Sequence, residues 1–225
     1  MAAETRISTP PLYDVHTHVL FDIDDGATDE QMSLAMLRLA SERGVTGTVA
    51  TPHSFDVAEH GGVAALNDRL ERTRALLDEQ GVAMELLPGM EVHLMPDVPE
   101  RLAQHDYIPV NGSRYVLTEL DFVQWAPYTD EVLFQMDLAG HRPLLAHVER
   151  IGPLQDRPEL LQGLVERGYF AQVTSASLLG MLGPKPQRAA ETMIKRSLVH
   201  VIASDTHRPE GNRGPLLAAA HARLV

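Results

Sequence analysis

Residues 13–26 of this chain read Tyr-Asp-Val-His-Thr-His-Val-Leu-Phe-Asp-Ile-Asp-Asp-Gly. The first half of this segment is typical of a strand, in which successive side chains point to opposite faces, so His16 and His18 leave the same face. Two imidazoles on one rigid strand can bind a metal ion together. The apolar run then gives way to a turn with Asp24, Asp25 and Gly26, which places carboxylates near the two histidines.

The rest of the chain repeats one pattern, in which an amphipathic helix is followed by a short apolar strand that ends at a polar residue. Most of these ends carry a side chain that can bind a metal ion. The strand predicted over Tyr169–Val173 differs, because it ends at Thr174 and Ser175 and offers no obvious ligand. The candidate ligands at the strand ends are His16, His18, His53, Glu91, Glu119, His147, Asp205 and His207.

The alternation of helices and strands predicts an α/β fold with a parallel sheet. About seven such units in 225 residues favour one closed or nearly closed barrel, and we expect a single domain over residues 1–225. In barrels of this kind the carboxyl ends of the strands lie at one mouth, where active sites are assembled. The fold would therefore bring the candidate ligands together although they are far apart in the sequence.

Composition excludes several classes of function. The chain has 31 acidic and 19 basic residues and a net charge of -12, and no run of Lys or Arg is present, so we expect no nucleic-acid partner. It has no cysteine, which excludes disulfides, thiolate ligands and a cysteine nucleophile. Residues 1–11 lack the pattern of an export signal and no apolar run reaches about 18 residues, so we expect a cytoplasmic protein without membrane insertion.

The chemistry of the candidate ligands narrows the function further. With Asp25 the set has nine members, which suits three metal ions sharing one bridging carboxylate. Imidazole and carboxylate groups without sulfur suit manganese, iron or zinc, and the spacing does not choose among them. Such a cluster would attract a phosphate dianion and lower the pKa of a bridging water toward ~7. Arg150, Arg208 and Arg213 follow candidate ligands and are candidate phosphate-binding groups.

Seven motifs together resemble the polymerase-and-histidinol-phosphatase (PHP) superfamily. They are most similar to the manganese-dependent protein-tyrosine phosphatases of bacterial capsule and exopolysaccharide operons, and they run in order along nearly the whole chain. The resemblance implies a distorted seven-stranded (β/α) barrel of the PHP type. The motifs are His16-Thr17-His18, Asp24-Asp25-Gly26-Ala27, Thr51-Pro52-His53, Gly89-Met90-Glu91, Glu119, Ala146-His147-Val148-Glu149-Arg150 and Ala203-Ser204-Asp205-Thr206-His207.

The resemblance also implies a trinuclear site with manganese as the first choice and iron or zinc as alternatives. By position in the motifs, the first ion would be held by His16, His18, Glu91 and Asp205. The second would be held by Glu91 as a bridge with Glu119 and His147, and the third by Asp25, His53 and His207. Arg150 matches one phosphate-binding arginine of the family, and Arg213 is our choice for the other, with Arg208 in reserve.

The implied activity is that of a phosphoric monoester hydrolase acting on phosphotyrosine in a partner protein, in which a metal-bridging hydroxide attacks phosphorus. The partner would be the tail of a bacterial tyrosine kinase or a related exopolysaccharide-synthesis protein. Two alternatives stay open: a small-molecule phosphatase such as histidinol-phosphate phosphatase, and a metal-loaded regulatory domain without catalysis.

Three further features bear on the site and the assembly. Ser54 and Phe55, which follow His53, stand where some members of the family carry basic residues. His93 is a candidate for the rim of the site. An oligomer is possible.

Overall fold

Strands and helices alternate along the chain as the sequence periodicity predicts. The structure, a computed structural model, describes residues 11–224, and residues 1–10 and Val225 lie outside the described residues. Most of residues 1–11, the segment in which an export signal was sought, is therefore not described. The strands are β1 (Leu12–Thr17), β2 (Val45–Ala50), β3 (Glu85–Pro88), β4 (Glu91–His93), β5 (Tyr115–Glu119), β6 (Arg142–Leu145), β7 (Phe170–Thr174) and β8 (Val201–Ala203).

Helices connect most of these strands and cover their outer surface. They are α1 (Glu30–Glu42), α2 (Ser54–Glu59), α3 (Gly62–Glu79), α4 (Val98–Ala103), α5 (Thr129–Leu138), α6 (Gly152–Asp156), α7 (Pro158–Glu166), α8 (Ser175–Leu178), α9 (Pro184–Lys195) and α10 (Leu217–Leu224). The sequence pattern did not reveal α2, α6 and α8, because helices of four to six residues are too short to show a helical period. Among the described residues, none of the helices has the length and apolar character that crossing a lipid bilayer requires.

The strands form two sheets, and every strand pair is parallel. One sheet has the order β1-β2-β3 and the other has the order β4-β5-β6-β7-β8. Parallel neighbours need crossover connections, and the helices between the strands supply them. The α/β class with a parallel sheet is thereby confirmed.

The predicted count of seven strands needs a correction, because eight strands lie within residues 11–224. The extra strand is β4, which begins at the predicted ligand Glu91; Gly89 and Met90 separate it from β3, and the two strands belong to different sheets. Gly89 packs so closely against β2 that a Cβ atom there would lie 2.8 Å from Val49 Cγ1. The sequence pattern did not reveal β4, because a strand of three residues is too short to show an alternation.

Hydrogen bonds connect the two sheets at both of their edges. On one side, the Asp205 amide donates to the His16 carbonyl at 2.9 Å and the His18 amide donates to the Thr206 carbonyl at 2.8 Å. On the other side, the Glu91 amide donates to the Pro52 carbonyl at 3.1 Å. The ends of β1, β2, β4 and β8 are therefore fixed against one another at the edge that carries the candidate ligands.

Replacement of Gly89 by alanine tests this junction. The new Cβ would press on Val49 Cγ1 and, at 3.3 Å, on Thr51 Cγ2, so we expect a loss of about 1–3 kcal/mol in the free energy of unfolding. The control is Gly163→Ala in α7, where a Cβ would meet nothing within 4 Å and the free energy of unfolding should rise by about 0.5–1 kcal/mol. Urea unfolding measures both, and equal effects would contradict the tight junction.

Candidate metal centre

The candidate centre is built around the two histidines of β1. The Nε2 atoms of His16 and His18 lie 3.2 Å apart, and both rings are fully buried. Glu91 Oε2 lies 3.3 and 3.4 Å from these two nitrogens, and Asp205 Oδ1 lies 3.5 Å from each. Four potential ligand atoms from three strand ends therefore point at one small volume.

The hydrogen bonds on the far side of each ring indicate that this volume fits a divalent cation. His16 Nδ1 lies 3.1 Å from Gln172 Oε1 and His18 Nδ1 lies 2.7 Å from Asp24 Oδ2, so each Nδ1 can donate its proton to an oxygen. When both rings are neutral, each Nε2 presents a lone pair toward the other ring and toward the carboxylates. A proton or a metal ion has to lie between such facing lone pairs, and nitrogen with carboxylate oxygen suits manganese, iron or zinc.

A second group adjoins the first through Glu91, whose carboxylate is 1% exposed. His147 Nε2 lies 2.9 Å from Glu91 Oε1 and 3.5 Å from Glu119 Oε1. Ligand atoms of these three residues lie within 4.8 Å of one another. Because the two oxygens of Glu91 face different groups, this carboxylate is placed to bridge them.

A third group lies on the more exposed side of the mouth. Asp25 Oδ1 lies 3.0 Å from His207 Nε2 and 3.5 Å from His53 Nε2. His18 also belongs to this group by distance, and its ring stacks on that of His207 with the centroids 3.8 Å apart. The structure thus brings all nine sequence-predicted ligands to one mouth, with His18 between the first and third groups.

The imidazoles and carboxylates of the centre shift one another's pKa values. Burial alone would lower the pKa of His147 and of His53. Hydrogen bonds to Glu119 and Glu91 instead raise the pKa of His147 to about 10. Hydrogen bonds to Asp25 and Glu91 raise the pKa of His53 to about 11. Burial alone would raise the pKa of Glu119, but hydrogen bonds to histidines lower it to about 2. Protons on the imidazoles therefore balance the carboxylates, and a metal ion has to displace them.

Two of the candidate ligands have unusual backbone conformations. His147 has a φ of 34° and Asp205 a φ of 55°, in the left-handed region that residues other than glycine rarely adopt. Backbone hydrogen bonds hold both, since the His147 amide donates to Gln172 Oε1 at 2.9 Å and the Asp205 amide donates to the His16 carbonyl. Strain of this kind persists where the surrounding structure fixes the residue, as it does at functional sites.

Two residues outside the predicted ligand set orient the candidate ligands, and the sequence pattern had pointed to only one of them, Asp24. Gln172 lies on β7, the strand that seemed to offer nothing, and its Oε1 accepts from both His16 Nδ1 and the His147 amide. Asp24 accepts from His18 Nδ1 and from the amides of Gly26 at 2.8 Å and His53 at 3.3 Å. Gln172 lies within its strand and not at its end, so the strand-end pattern could not reveal it.

The arginines near the mouth differ in what they contact. Arg150 Nη1 donates to Asp205 Oδ2 at 2.6 Å, and Arg213 donates to Asp25 Oδ2 at 3.2 Å and also contacts His207. Arg208 Nη1 instead donates to the carbonyl oxygens of Asp25, Gly26 and His207 at 2.7–2.8 Å, which joins two loops, and Arg208 does not line the cavity that Arg150 and Arg213 share. Arg213 is therefore better placed than Arg208 to meet an anion.

A cavity of about 110 Å³ lies between the two remaining arginines. Arg150 and Arg213 contribute to its wall beside Asp205 and Thr174. The guanidinium of Arg150 also lies 5.1 Å from the centre of the Phe122 ring, which stacks on His147 with the centroids 5.0 Å apart. This packing holds the arginine at the edge of the candidate centre, where a phosphate group could reach both.

The chain is similar to a family of bacterial proteins along its length. The family described as "Capsular polysaccharide synthesis, CpsB/CapC" matches residues 12–225. The tyrosine-protein phosphatase YwqE of Bacillus subtilis (strain 168) is 31% identical over 196 residues, which cover 87% of this chain and 77% of YwqE. The tyrosine-protein phosphatase CpsB of Streptococcus pneumoniae is 27% identical over 219 residues, which cover 93% of this chain and 88% of CpsB.

A solved structure also resembles this one. It belongs to a study of YwqE from Bacillus subtilis and CpsB from Streptococcus pneumoniae, described as "unique metal-dependent tyrosine phosphatases". The TM-score is 0.88 at 30% sequence identity, and the match covers 92% of this chain and 84% of the other. The two chains therefore share both the fold and a recognisable part of the amino-acid sequence.

Replacement of Gln172 by leucine tests the support of the centre. The variant leaves His16 Nδ1 and the His147 amide without their shared acceptor, so we expect affinity for manganese to fall about 10–100-fold. Isothermal titration calorimetry measures this affinity. Gln162→Leu, on the exposed face of α7, is the matched control and should bind manganese like the unaltered chain. If the two variants bind manganese equally, Gln172 does not orient the ligands.

The raised pKa values predict how the metal-free protein responds to pH. A histidine whose pKa rises on folding stabilises the fold below its unfolded pKa, and this contribution is lost as pH rises through the folded pKa. The folded values are about 9 for His18, about 11 for His53 and about 10 for His147. The melting temperature of chelator-treated protein should therefore fall by about 5 °C or more between pH 6.5 and pH 9.

Protein saturated with manganese is the comparison for this measurement. Its imidazoles no longer carry the displaced protons, so its melting temperature should change less over the same range. Differential scanning calorimetry of both forms checks the prediction. A melting temperature that is constant or rising in the metal-free form would contradict the proton-balanced centre.

Proposed function

Because this chain belongs to the capsular polysaccharide synthesis CpsB/CapC family, we propose that it is a metal-dependent protein-tyrosine phosphatase. The observation that carries the proposal is the convergence of His16, His18, Glu91 and Asp205 on one volume, with Arg150 beside them. Relatives named as tyrosine-protein phosphatases support it, and so does the likeness to metal-dependent tyrosine phosphatases. The family expected from the sequence motifs is confirmed.

We assign three divalent ions to the centre, with manganese first and iron or zinc as alternatives. The first would be held by His16, His18, Glu91 and Asp205, the second by Glu91, Glu119 and His147, and the third by Asp25, His53 and His207. Three overlapping groups of potential ligands support this assignment, with Asp205 added to the first group by its distances to His16 and His18 and with His18 also close to the third. Bound ions would supply a hydroxide at neutral pH and neutralise charge on the phosphoryl oxygens.

The chain's own residues bind and orient the phosphoryl group. Arg150 and Arg213 face the same cavity, and guanidinium groups bind phosphate oxygens with two parallel hydrogen bonds. Both arginines contact carboxylates of the centre, so binding of a phosphate group would exchange one anionic partner for another. The leaving phenoxide of tyrosine has a pKa near ~10, so its departure needs less protonation than that of an alkoxide.

The substrate protein, the cellular compartment and the domain organisation are further proposals. We propose that the substrate is a phosphotyrosine-containing protein, such as the tail of a bacterial tyrosine kinase in capsule or exopolysaccharide synthesis, and that the enzyme acts in the cytoplasm as a single domain. The hydrogen bonds that link β1 to the end of β8 and β4 to the end of β2 support the inference that the two sheets form one distorted barrel of the PHP type.

Substrate preference tests the function directly. We expect the manganese-loaded protein to hydrolyse a phosphotyrosyl peptide with a kcat/KM at least about tenfold above that for a phosphoseryl peptide or histidinol phosphate, because the phenoxide is the better leaving group. A chelator should abolish turnover and added manganese should restore it. Faster turnover of histidinol phosphate would favour the small-molecule alternative, and no turnover of any phosphoester would favour the regulatory one.

Removal of one guanidinium group tests the proposed phosphate site. We expect Arg150→Ala to lower kcat/KM for a phosphotyrosyl peptide about 10²–10³-fold, since the group would bind charge that develops in the transition state. Arg167→Ala is the matched control, because Arg167 also pairs with an aspartate, Asp130 at 2.8 Å, but on the exposed surface. Equal activity of the two variants would remove Arg150 from the site.

A further inference from the structure

An exposed aromatic ring lies directly beside the candidate metal centre. Phe55 is the second residue of α2, the short helix that follows His53, and its side chain is 49% exposed. The preceding residue, Ser54, is buried, and its Oγ accepts from the His93 amide at 3.4 Å. This hydrogen bond ties the start of α2 to β4, so the position of the Phe55 ring follows from the same strand ends that form the centre.

His93 forms the link between this ring and the proposed ligands. The rings of Phe55 and His93 have their centroids 5.5 Å apart and are tilted by 43°, within the range of favourable aromatic pairs. On its other side, His93 Nδ1 lies 3.0 Å from Glu119 Oε2. One side chain, that of His93, therefore separates Phe55 from Glu119, a proposed metal ligand. His93, a candidate rim residue, supports the Phe55 ring at this position.

A second aromatic residue at the mouth, Phe122, is used differently. Its ring stacks on His147 and lies under the guanidinium of Arg150, so its faces are occupied by proposed site residues. Phe55 has a partner in His93 and retains half of its surface for another contact. Single exposed apolar side chains are common, but this one combines exposure with a fixed position at the mouth.

We propose that Phe55, supported by His93, is the wall that receives the aromatic ring of the substrate and selects aryl phosphates over alkyl phosphates. This inference rests on the proposed phosphatase function and identifies the residue that determines its substrate class. A phosphorus atom bound at the centre must carry its tyrosine ring outward past the rim of the mouth. A ring that leaves on the β4 side meets Phe55, where offset or edge-to-face packing is favourable.

Direct binding of two small anions to the manganese-loaded protein tests this inference without requiring turnover. Phenylphosphonate carries an aromatic ring, whereas inorganic phosphate does not. We expect Phe55→Ala to weaken phenylphosphonate binding about five- to tenfold and to leave phosphate binding unchanged within about twofold, as measured by isothermal titration calorimetry. For a phosphotyrosyl peptide, the same variant should raise KM with little change in kcat.

The chain offers a matched control for this variant. Phe134 on α5 is also 49% exposed, so Phe134→Ala removes an equally accessible ring and should leave both affinities unchanged. Phe55→Leu keeps an apolar side chain and loses the ring, and it should show the same selective loss of phenylphosphonate affinity. It also serves in place of Phe55→Ala if that variant binds less manganese or melts at a lower temperature.

Three outcomes would overturn the inference. Phenylphosphonate affinity of the Phe55 variants equal to that of Phe134→Ala would show that no aryl ring contacts Phe55. Equal losses for phenylphosphonate and phosphate would assign Phe55 to the stability of the centre. A raised KM for the peptide without a change for phenylphosphonate would place a neighbouring peptide residue on Phe55. Failure of the unaltered chain to hydrolyse phosphotyrosine would refute the proposed function instead. The affinities for phenylphosphonate and phosphate would still show whether Phe55 contacts an aryl ring.

Discussion

The burial of the Glu91 carboxylate is the constraint on which the rest of the site depends. This side chain is 1% exposed and lies within 3.4 Å of ring nitrogens of His16, His18, His53 and His147. A buried carboxylate is costly unless cations or hydrogen-bond donors surround it. Three strand ends, those of β1, β2 and β6, therefore have to deliver four imidazoles to one place. The same arrangement that neutralises Glu91 also creates a binding place for divalent ions.

A second layer of residues makes this convergence rigid. Gln172 and Asp24 each accept a hydrogen bond from the Nδ1 of an imidazole, which fixes the ring and directs its other nitrogen toward the centre. His147 and Asp205, just after β6 and β8, contribute their side chains to the centre from left-handed backbone conformations. Arg150 and Arg213 then border the centre on the side of the cavity, so cationic groups meet an incoming anion although the whole chain is acidic.

The sequence predicted much of this arrangement for a physical reason. Parallel strands joined by helices place their carboxyl ends at one edge, so a polar residue after each apolar run can be assigned to the same mouth without coordinates. The structure places the eight residues expected at strand ends around one mouth, together with Asp25 from the turn after β1. The strand-end pattern did not reveal Gln172, because a polar residue inside a strand shows no sign of the face on which it lies or of the partner it meets. The count of seven strands missed β4, because three residues are too few to show an alternation.

What the sequence determined by itself is the alternation of elements, the chemical types of the ligands, the absence of thiol chemistry and the family, since these depend on local patterns and on residue identity. Only the tertiary structure decided that His18 lies between two of the groups, and that Arg208 joins loops while Arg213 faces the cavity. It also decided that Phe55 stands beside His93 at the rim. These are relations between residues far apart in the chain, and they depend on distances of a few tenths of a nanometre that local sequence patterns do not encode.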